Sequence, residues 1–272
     1  MQTATTLEVL RSAVDLLRGK GKRLALVPTM GALHEGHMTL VREARKHADA
    51  LAVSIFVNPK QFGPNEDLDA YPRRMAADAA LLEGEGVELL WAPDVGAMYP
   101  AGFATNVSVG GVSDGLCGAA RPGHFDGVAT VVCKLFNQVR PDVALFGEKD
   151  WQQLAVIRRM ARDLDLVLPH VDAIIGVPTV READGLALSS RNQYLSPEAR
   201  AQAAALPKAM RDGIAALLAG SAVAPTLAAI EAHLLQAGFE TIDYVTLADA
   251  ESLMPIETIE PRPARLLVAA RI

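Results

Sequence analysis

The chain has 272 residues, enough for one large domain or for two that each bury a core, and its 50% hydrophobic to 21% charged composition is that of a globular protein. A formal net charge of -6 gives no broad basic surface for a nucleic-acid backbone, so small molecules are the expected partners and RNA or DNA is not. No stretch has the unbroken apolar length of a membrane span, and the 2 cysteines, Cys117 and Cys133, are spaced neither as a metal knuckle nor as a redox pair.

Residues 1–8 lack the basic-then-apolar order of a secretory signal, so a cytoplasmic location is expected. Thr5 with Glu8 reads instead as a capping box that opens a helix ending near Gly19. Short runs rich in Val, Ile and Leu follow at 24–27, 51–57, 87–91, 143–146 and 171–175, alternating with helical patterns at 38–47, 75–85, 125–139 and 151–165. Runs that are apolar at every position imply strands covered by helices on both faces, which predicts an α/β domain with a parallel sheet. After Gly176-Val-Pro the composition changes to an alanine-rich helical pair opening at Ser196-Pro-Glu198, and strand-like segments at 242–248 and 265–270 close the chain. The expected division is therefore 1–176 and a smaller domain at 177–272, with 255–263 as an exposed connection.

Ligands of an open parallel sheet sit beyond the carboxyl ends of its strands, and three polar segments fall there. In Val27-Pro-Thr-Met-Gly-Ala-Leu-His-Glu-Gly-His37 a strand runs through a glycine turn into a helix, whose first N–H groups and dipole attract phosphate. His34 and His37 share one face of its first turn. Gly31 and Gly36 have Walker A spacing, but His37 and Met38 stand where that loop needs Lys and Ser or Thr. The histidines are three apart rather than the four of a zinc protease, and Gly-x-Gly-x-x-Gly is absent from the loop. Taken alone, the quartet reads equally as two surface histidines at a helix start.

After the second strand, the amides of Asn58 and Gln61 suit hydroxyl and carboxylate groups, although loop amides are commonly just solvated. After the fourth, Gly147-Glu-Lys-Asp150 sets charges at the end of a buried strand. Lys149 there would neutralise phosphate, Asp150 could hold a ribose hydroxyl, and Gln153 lies one helical turn beyond. A solvated helix start favoured by the dipole is the plainer reading. At the domain boundary, Gly185 is free to flex, and Ser189, Ser190 and Arg191 suit a mobile phosphate clamp or, equally, a polar linker. Arg121-Pro-Gly-His-Phe125 reads as a basic surface loop before a helix.

In this order and spacing, Pro28-Thr-Met-Gly-Ala-Leu-His-Glu-Gly-His37, Ile55-Phe-Val-Asn-Pro-Lys-Gln-Phe62, Arg121-Pro-Gly-His-Phe125, Phe146-Gly-Glu-Lys-Asp150 and Leu188-Ser-Ser-Arg-Asn192 closely resemble the pantoate beta-alanine ligase (pantothenate synthetase) family of the nucleotidylyltransferase superfamily. The resemblance spans essentially the whole chain. It implies a Rossmann-like, doubly wound catalytic domain, a smaller α+β C-terminal lid domain and a homodimer. It further implies an ATP-dependent condensation of pantoate with beta-alanine to pantothenate, AMP and pyrophosphate through a pantoyl adenylate, with ATP as co-substrate and magnesium beside it.

By position, the resemblance makes Met30, Gly31, Ala32, Leu33, His34, Glu35, Gly36 and His37 the ATP-holding motif, with His37 the catalytic proton donor and His34 near the phosphates. Lys149 joins them in stabilising charge. Gly147, Glu148, Lys149, Asp150, Val180, Leu188, Ser189, Ser190 and Arg191 match further ATP contacts. Gln61 and Gln153 match the pantoate-holding glutamines, and Gln61 also the contact to beta-alanine; no magnesium ligand is identifiable. Two features depart from the family pattern: Lys60 stands where Met is common, and the chain stops at Ile272, inside its last strand pattern. Other readings are an adenylyl transferase acting on a phosphate group, a tRNA-charging enzyme, for which no basic surface is visible, and a non-catalytic nucleotide-binding module.

Overall fold

The computed structural model describes residues 1–64 and 66–272. Along the chain run β1 (Gln2–Ala4), α1 (Leu7–Gly19), β2 (Leu24–Thr29), α2 (Glu35–Ala44), β3 (Ala50–Ile55), α3 (Met75–Gly84), β4 (Leu89–Trp91), the short α4 (Val95–Met98) and α5 (Cys117–Ala120), α6 (His124–Val139), β5 (Val143–Gly147), α7 (Trp151–Asp163) and β6 (Ile174–Val177). The six strands are all parallel, in the order β1-β4-β3-β2-β5-β6. From β2 the chain steps outward through β3 to β4, then returns to lay β5 on the other side of β2. The switch point therefore lies between β2 and β5, whose carboxyl ends are Thr29 and Gly147.

Burial explains why these runs are strands. All six positions of β3 are buried, as they must be when both faces carry helices. Val27, Val53, Leu90 and Leu145 join Met38 and Val41 of α2 and Leu82 of α3 in one apolar cluster. On α6, Val128, Ala129, Leu135 and Phe136 are almost fully buried, and that helix lies against α1, α7 and β2.

Several boundaries differ from the sequence reading, each for a local reason. Residues 2–4 form β1, and the helix behind it is capped by Thr6, whose hydroxyl accepts from Val9 N at 3.4 Å, rather than by Thr5. Residues 171–173 are a 3-10 turn rather than strand, because His170 Nδ1 accepts from Asp172 N and curls the chain before β6. The second helix starts at Glu35, before the first apolar position that marks it in the sequence, and β4 starts at Leu89 rather than at 87.

The chain divides into two compact units, Met1–Gly110 with Arg121–Val180, and Gly111–Ala120 with Arg181–Ile272. A cut at 176 would pass through β6, which continues to Val177. The second unit contains α8 (Pro197–Ala203), α9 (Ala205–Leu218), α10 (Val223–Gln236), β7 (Thr241–Asp249) and β8 (Ala264–Arg271). The expected helical pair after residue 196 is three helices: Pro207 has no N–H to return to the carbonyl of Ala203, where α8 ends. The two strands are antiparallel, and Ala209, Ile230, Leu234 and Phe239 pack beneath them with Val245, Leu266 and Val268. Ile256 is buried inside the otherwise exposed 255–263 connection.

Candidate active site

At the end of β2 the backbone turns left-handed twice, at Gly31 (φ 87) and Ala32 (φ 51). Thr29 Oγ1 donates to Ser54 O at 2.8 Å and accepts from Gly31 N at 3.2 Å, tying the turn to β3. The next two N–H groups, of Ala32 and Leu33, donate to Asp78 Oδ2 and Oδ1 at 2.8 and 2.9 Å. Asp78 lies on α3 and is 2% exposed. The sequence reading missed it, and its one signal was an acid among alanines and leucines on a buried helix face.

His34 then caps α2 from extended backbone. Its Nδ1 accepts from Gly36 N at 3.1 Å, and His37 Nδ1 accepts from His34 N at 3.3 Å, a capping box built from two imidazoles. A nitrogen that accepts carries no proton, so each neutral ring bears its hydrogen on Nε2. The ring centroids are 4.1 Å apart. Burial, then the nearby Lys149 charge, lowers the pKa of His34. Burial first, then His34 and Lys149, drives that of His37 down to about 3, against an opposing pull from Asp150.

The expectation of free backbone N–H groups at this helix start is only partly met. Those of Gly31, Ala32, Leu33, His34, Gly36 and His37 all have partners within the protein. The side chains of Ala32 and Leu33 are buried, and Glu35 pairs with Arg42. What the turn offers an anion is chiefly the two Nε2–H donors.

Across the switch point, Glu148–Asp150 forms a 3-10 turn leading into α7. Lys149 Nζ lies 3.8 Å from Asp150 Oδ2 and its side chain is 39% exposed, so the ammonium keeps access to solvent and ligand. Its influence on both imidazoles places it beside them. Gln153 is half-buried in the first turn of α7.

The third element is the 3-10 turn Pro59–Gln61, capped by Asn58. Asn58 is 1% exposed and its hydrogen-bonding capacity is filled. Its Oδ1 accepts from Lys60 N at 3.3 Å and Tyr99 OH at 2.8 Å, while its Nδ2 donates to Gln61 Oε1 at 3.0 Å and Gly127 O at 3.1 Å. Gln61 is thereby oriented with its amide NH2 forward, donating to Met30 Sδ at 3.3 Å. Lys60 does not add its charge to Gln61 directly, because its Nζ lies over the rings of Tyr99 and Phe103, 5.7 and 5.6 Å from their centroids. Burial raises the Tyr99 pKa, keeping its hydroxyl a donor.

Arg121 and His124, expected in a surface loop, instead brace this turn. His124 Nδ1 donates to Gln61 O at 2.8 Å, and Arg121 pairs with both oxygens of Glu66 at 2.7 and 2.6 Å, holding that carboxyl below its usual range. Burial keeps His124 neutral to lower pH than a free imidazole. Neither residue could have been placed from sequence, since their partners lie some sixty positions away.

His34, His37, Gln61, Lys149, Asp150, Gln153 and Val180 all belong to the first unit, whereas Leu188, Ser189, Ser190 and Arg191 belong to the second. There Ser189 Oγ accepts from Arg191 N at 3.2 Å and caps the 3-10 turn Ser190–Tyr194. Gly185, read as a flexible point, sits in a closed hairpin at φ 94, with its N–H given to Glu182 O at 2.8 Å. Arg200 clamps that hairpin through Glu182 at 2.7 Å and Asp184 at 2.6 Å.

Two neutral ring donors and an ammonium beside one another suit a group whose oxygens gain negative charge during reaction. Residues 2–272 match the model of a family described as pantoate-beta-alanine ligase. A pantothenate synthetase of Novosphingobium aromaticivorans is 71% identical over 272 residues, 100% of this chain and 95% of that relative. The crystal structure of pantothenate synthetase from Thermus thermophilus superposes with a TM-score of 0.93 at 48% identity, covering 100% of this chain and 95% of that one. A pantoate-beta-alanine ligase from Francisella tularensis, solved with beta-gamma ATP and beta-alanine, is 32% identical with a TM-score of 0.80 over 90% of this chain and 89% of that one.

Proposed function

The chain belongs to the pantoate-beta-alanine ligase family and is a ligase that uses ATP to join pantoate to beta-alanine as pantothenate, and from that premise we propose that the chemistry is carried out where β2 and β5 meet α2 and α7. The observation that carries this assignment is the imidazole capping box beside Lys149, at the switch point of the sheet. A carboxylate is a poor electrophile towards an amine, so it must first acquire a leaving group. In the proposed sequence a pantoate carboxylate oxygen attacks the α-phosphorus of ATP and pyrophosphate leaves. The amine of beta-alanine then attacks the acyl carbon, and AMP departs with the oxygen that pantoate supplied.

His34 and His37 donate Nε2–H hydrogen bonds to phosphate oxygens as neutral rings, and Lys149 adds a point charge. The proton-donor role of His37 then means a hydrogen bond given, not an imidazolium spent. Gln61, its amide aimed by Asn58, holds pantoate together with Gln153 and meets beta-alanine afterwards. Met30, Gly31, Ala32, Leu33, Glu35, Gly36, Gly147, Glu148, Asp150, Val180, Leu188, Ser189, Ser190 and Arg191 take their ATP-binding role from family resemblance, as does the second unit its role as lid.

Magnesium fits as a companion of the nucleotide. Among the described residues no group of three or more His, Cys, Asp or Glu side chains could hold a metal, and magnesium characteristically binds through phosphate oxygens with one or two carboxylates. Bound there it would neutralise triphosphate charge, and Asp150, whose carboxylate acts on the His37 ring, is a carboxylate of this chain that could take that role. A homodimer and a cytoplasmic setting complete the proposal, also by resemblance.

The test is pyrophosphate release with pantoate and ATP but no amine, followed by beta-alanine-dependent AMP. His37→Ala and Lys149→Ala should each slow pantoate-dependent pyrophosphate release about a hundredfold or more while the protein stays folded. Unchanged release in both variants overturns the assignment. Oxygen label in the pantoate carboxylate should appear in AMP, and AMP free of label would exclude the acyl adenylate.

A further inference from the structure

Among the described residues, Asp78 is the one buried carboxylate at this site that the proposed chemistry leaves without a role. It reaches the turn from α3, 46 residues beyond Ala32, and its two oxygens accept from two consecutive N–H groups at 2.8 and 2.9 Å. Successive backbone N–H groups converging from a turn with left-handed residues make an anion-binding concavity, of the kind that elsewhere cradles phosphate. Here the concavity is already filled by the protein's own carboxylate, sealed at 2% exposure.

Resting on the site reading above, we propose that Asp78 is a positioning residue: a built-in anion that holds the Gly31–Ala32 turn in its left-handed form, fixes the His34 cap, and directs the nucleotide phosphates to the imidazoles instead of the backbone. The linkage is short. Leu33 N–H is fixed by Asp78, and His34 follows directly as N-cap. The His34 N–H fixes His37 Nδ1 at 3.3 Å, and His34 Nδ1 is itself fixed by Gly36 N at 3.1 Å. Ala32 holds φ 51 although it is not glycine, a conformation that an L-residue keeps only when its surroundings over-determine it. Fit on the other side is equally tight, since a Cβ at Gly31 would lie 3.1 Å from Asp78 Oδ2 and 3.1 Å from Ile55 Cγ2.

Asp78→Asn keeps the shape but sets an NH2 group against one of the two N–H donors. The variant should lose tenfold or more in kcat for pantoate-dependent pyrophosphate release while its pantoate KM stays within twofold. Side-chain nitrogen NMR of the ligand-free variant should show His34 and His37 leaving the pure Nε2–H tautomer. A folded variant with wild-type kcat and wild-type imidazole signals overturns the proposal. A second measurement needs no variant: adding a non-hydrolysable ATP analogue to the wild-type chain should leave hydrogen exchange at Ala32 and Leu33 slow and unchanged. Exchange or shifts at those amides that follow nucleotide binding, with phosphorus coupling to their nitrogens, would show phosphate displacing Asp78 and also overturn it. If the site reading itself were wrong, His37→Ala and Lys149→Ala would keep wild-type pantoate-dependent pyrophosphate release, an outcome separate from any of these.

Discussion

Single residues at this site are governed by which proton each nitrogen carries. His37 is neutral because its Nδ1 is an acceptor and because burial, His34 and Lys149 all oppose a second proton, bringing its pKa to about 3. It should therefore show no titration between about pH 5 and 8, the range in which an ordinary histidine changes charge. Carbon-proton NMR of the ring against pH checks this, and a step near 6.5 would disprove it. The stability consequence has a definite sign. The folded state binds this proton less readily than the unfolded chain, so the neutral ring's contribution is complete above the unfolded value of 6.5 and is lost as pH falls towards about 3. The His-x-Gly-His quartet was legible in the sequence, but its tautomer was not, because that depends on N–H groups whose directions only the folded turn sets.

At the scale of elements, legibility followed how much of an element's stability is written in its own apolar pattern. The runs at 51–57 and 143–146 announced β3 and β5 because nearly every position is buried. The first turn of α2 carries no apolar signal, since Glu35-Gly-His37 is polar and is held by caps rather than by burial, and only the glycine turn and the paired histidines before it announced a helix start there. Packing between distant elements was likewise invisible. Gly127 in the middle of α6 reads as a helix weakness worth about 1 kcal/mol, but a Cβ there would lie 2.3 Å from Lys60 O, 2.5 Å from Lys60 C and 2.6 Å from Gln61 N. All three are backbone atoms and none can rotate aside. Gly127→Ala should push the Gln61 turn off α6, cost about 1–3 kcal/mol of stability through overpacking, and raise the pantoate KM about tenfold while the ATP KM changes less. Thermal melting and steady-state kinetics read the two effects, and a variant with unchanged pantoate KM would mean that this contact does not set the position of Gln61.

For the molecule as a whole, topology decides where chemistry can occur, and the residues proposed to hold the substrates are distributed unequally over the two units. The order β1-β4-β3-β2-β5-β6 places the carboxyl ends of β2 and β5 side by side, so the turns after them can meet although more than a hundred residues separate them. That convergence was expected from alternating strands and helices alone, whereas the inclusion of Gly111–Ala120 in the second unit had no signature in the sequence. Gln61 and Gln153, proposed to hold pantoate, both fall in the first unit, but the proposed ATP contacts fall in both, with Arg191 in the second. Removing a charged hydrogen-bond partner costs about 1.5–3 kcal/mol, and each 1.4 kcal/mol is about tenfold in affinity. Arg191→Ala should therefore weaken binding of a non-hydrolysable ATP analogue about tenfold or more, as measured by titration calorimetry, and leave the pantoate KM within about twofold. Equal loss for both substrates would mean that the second unit supports the whole site and not the nucleotide alone, and an unchanged ATP affinity would remove Arg191 from the nucleotide contacts.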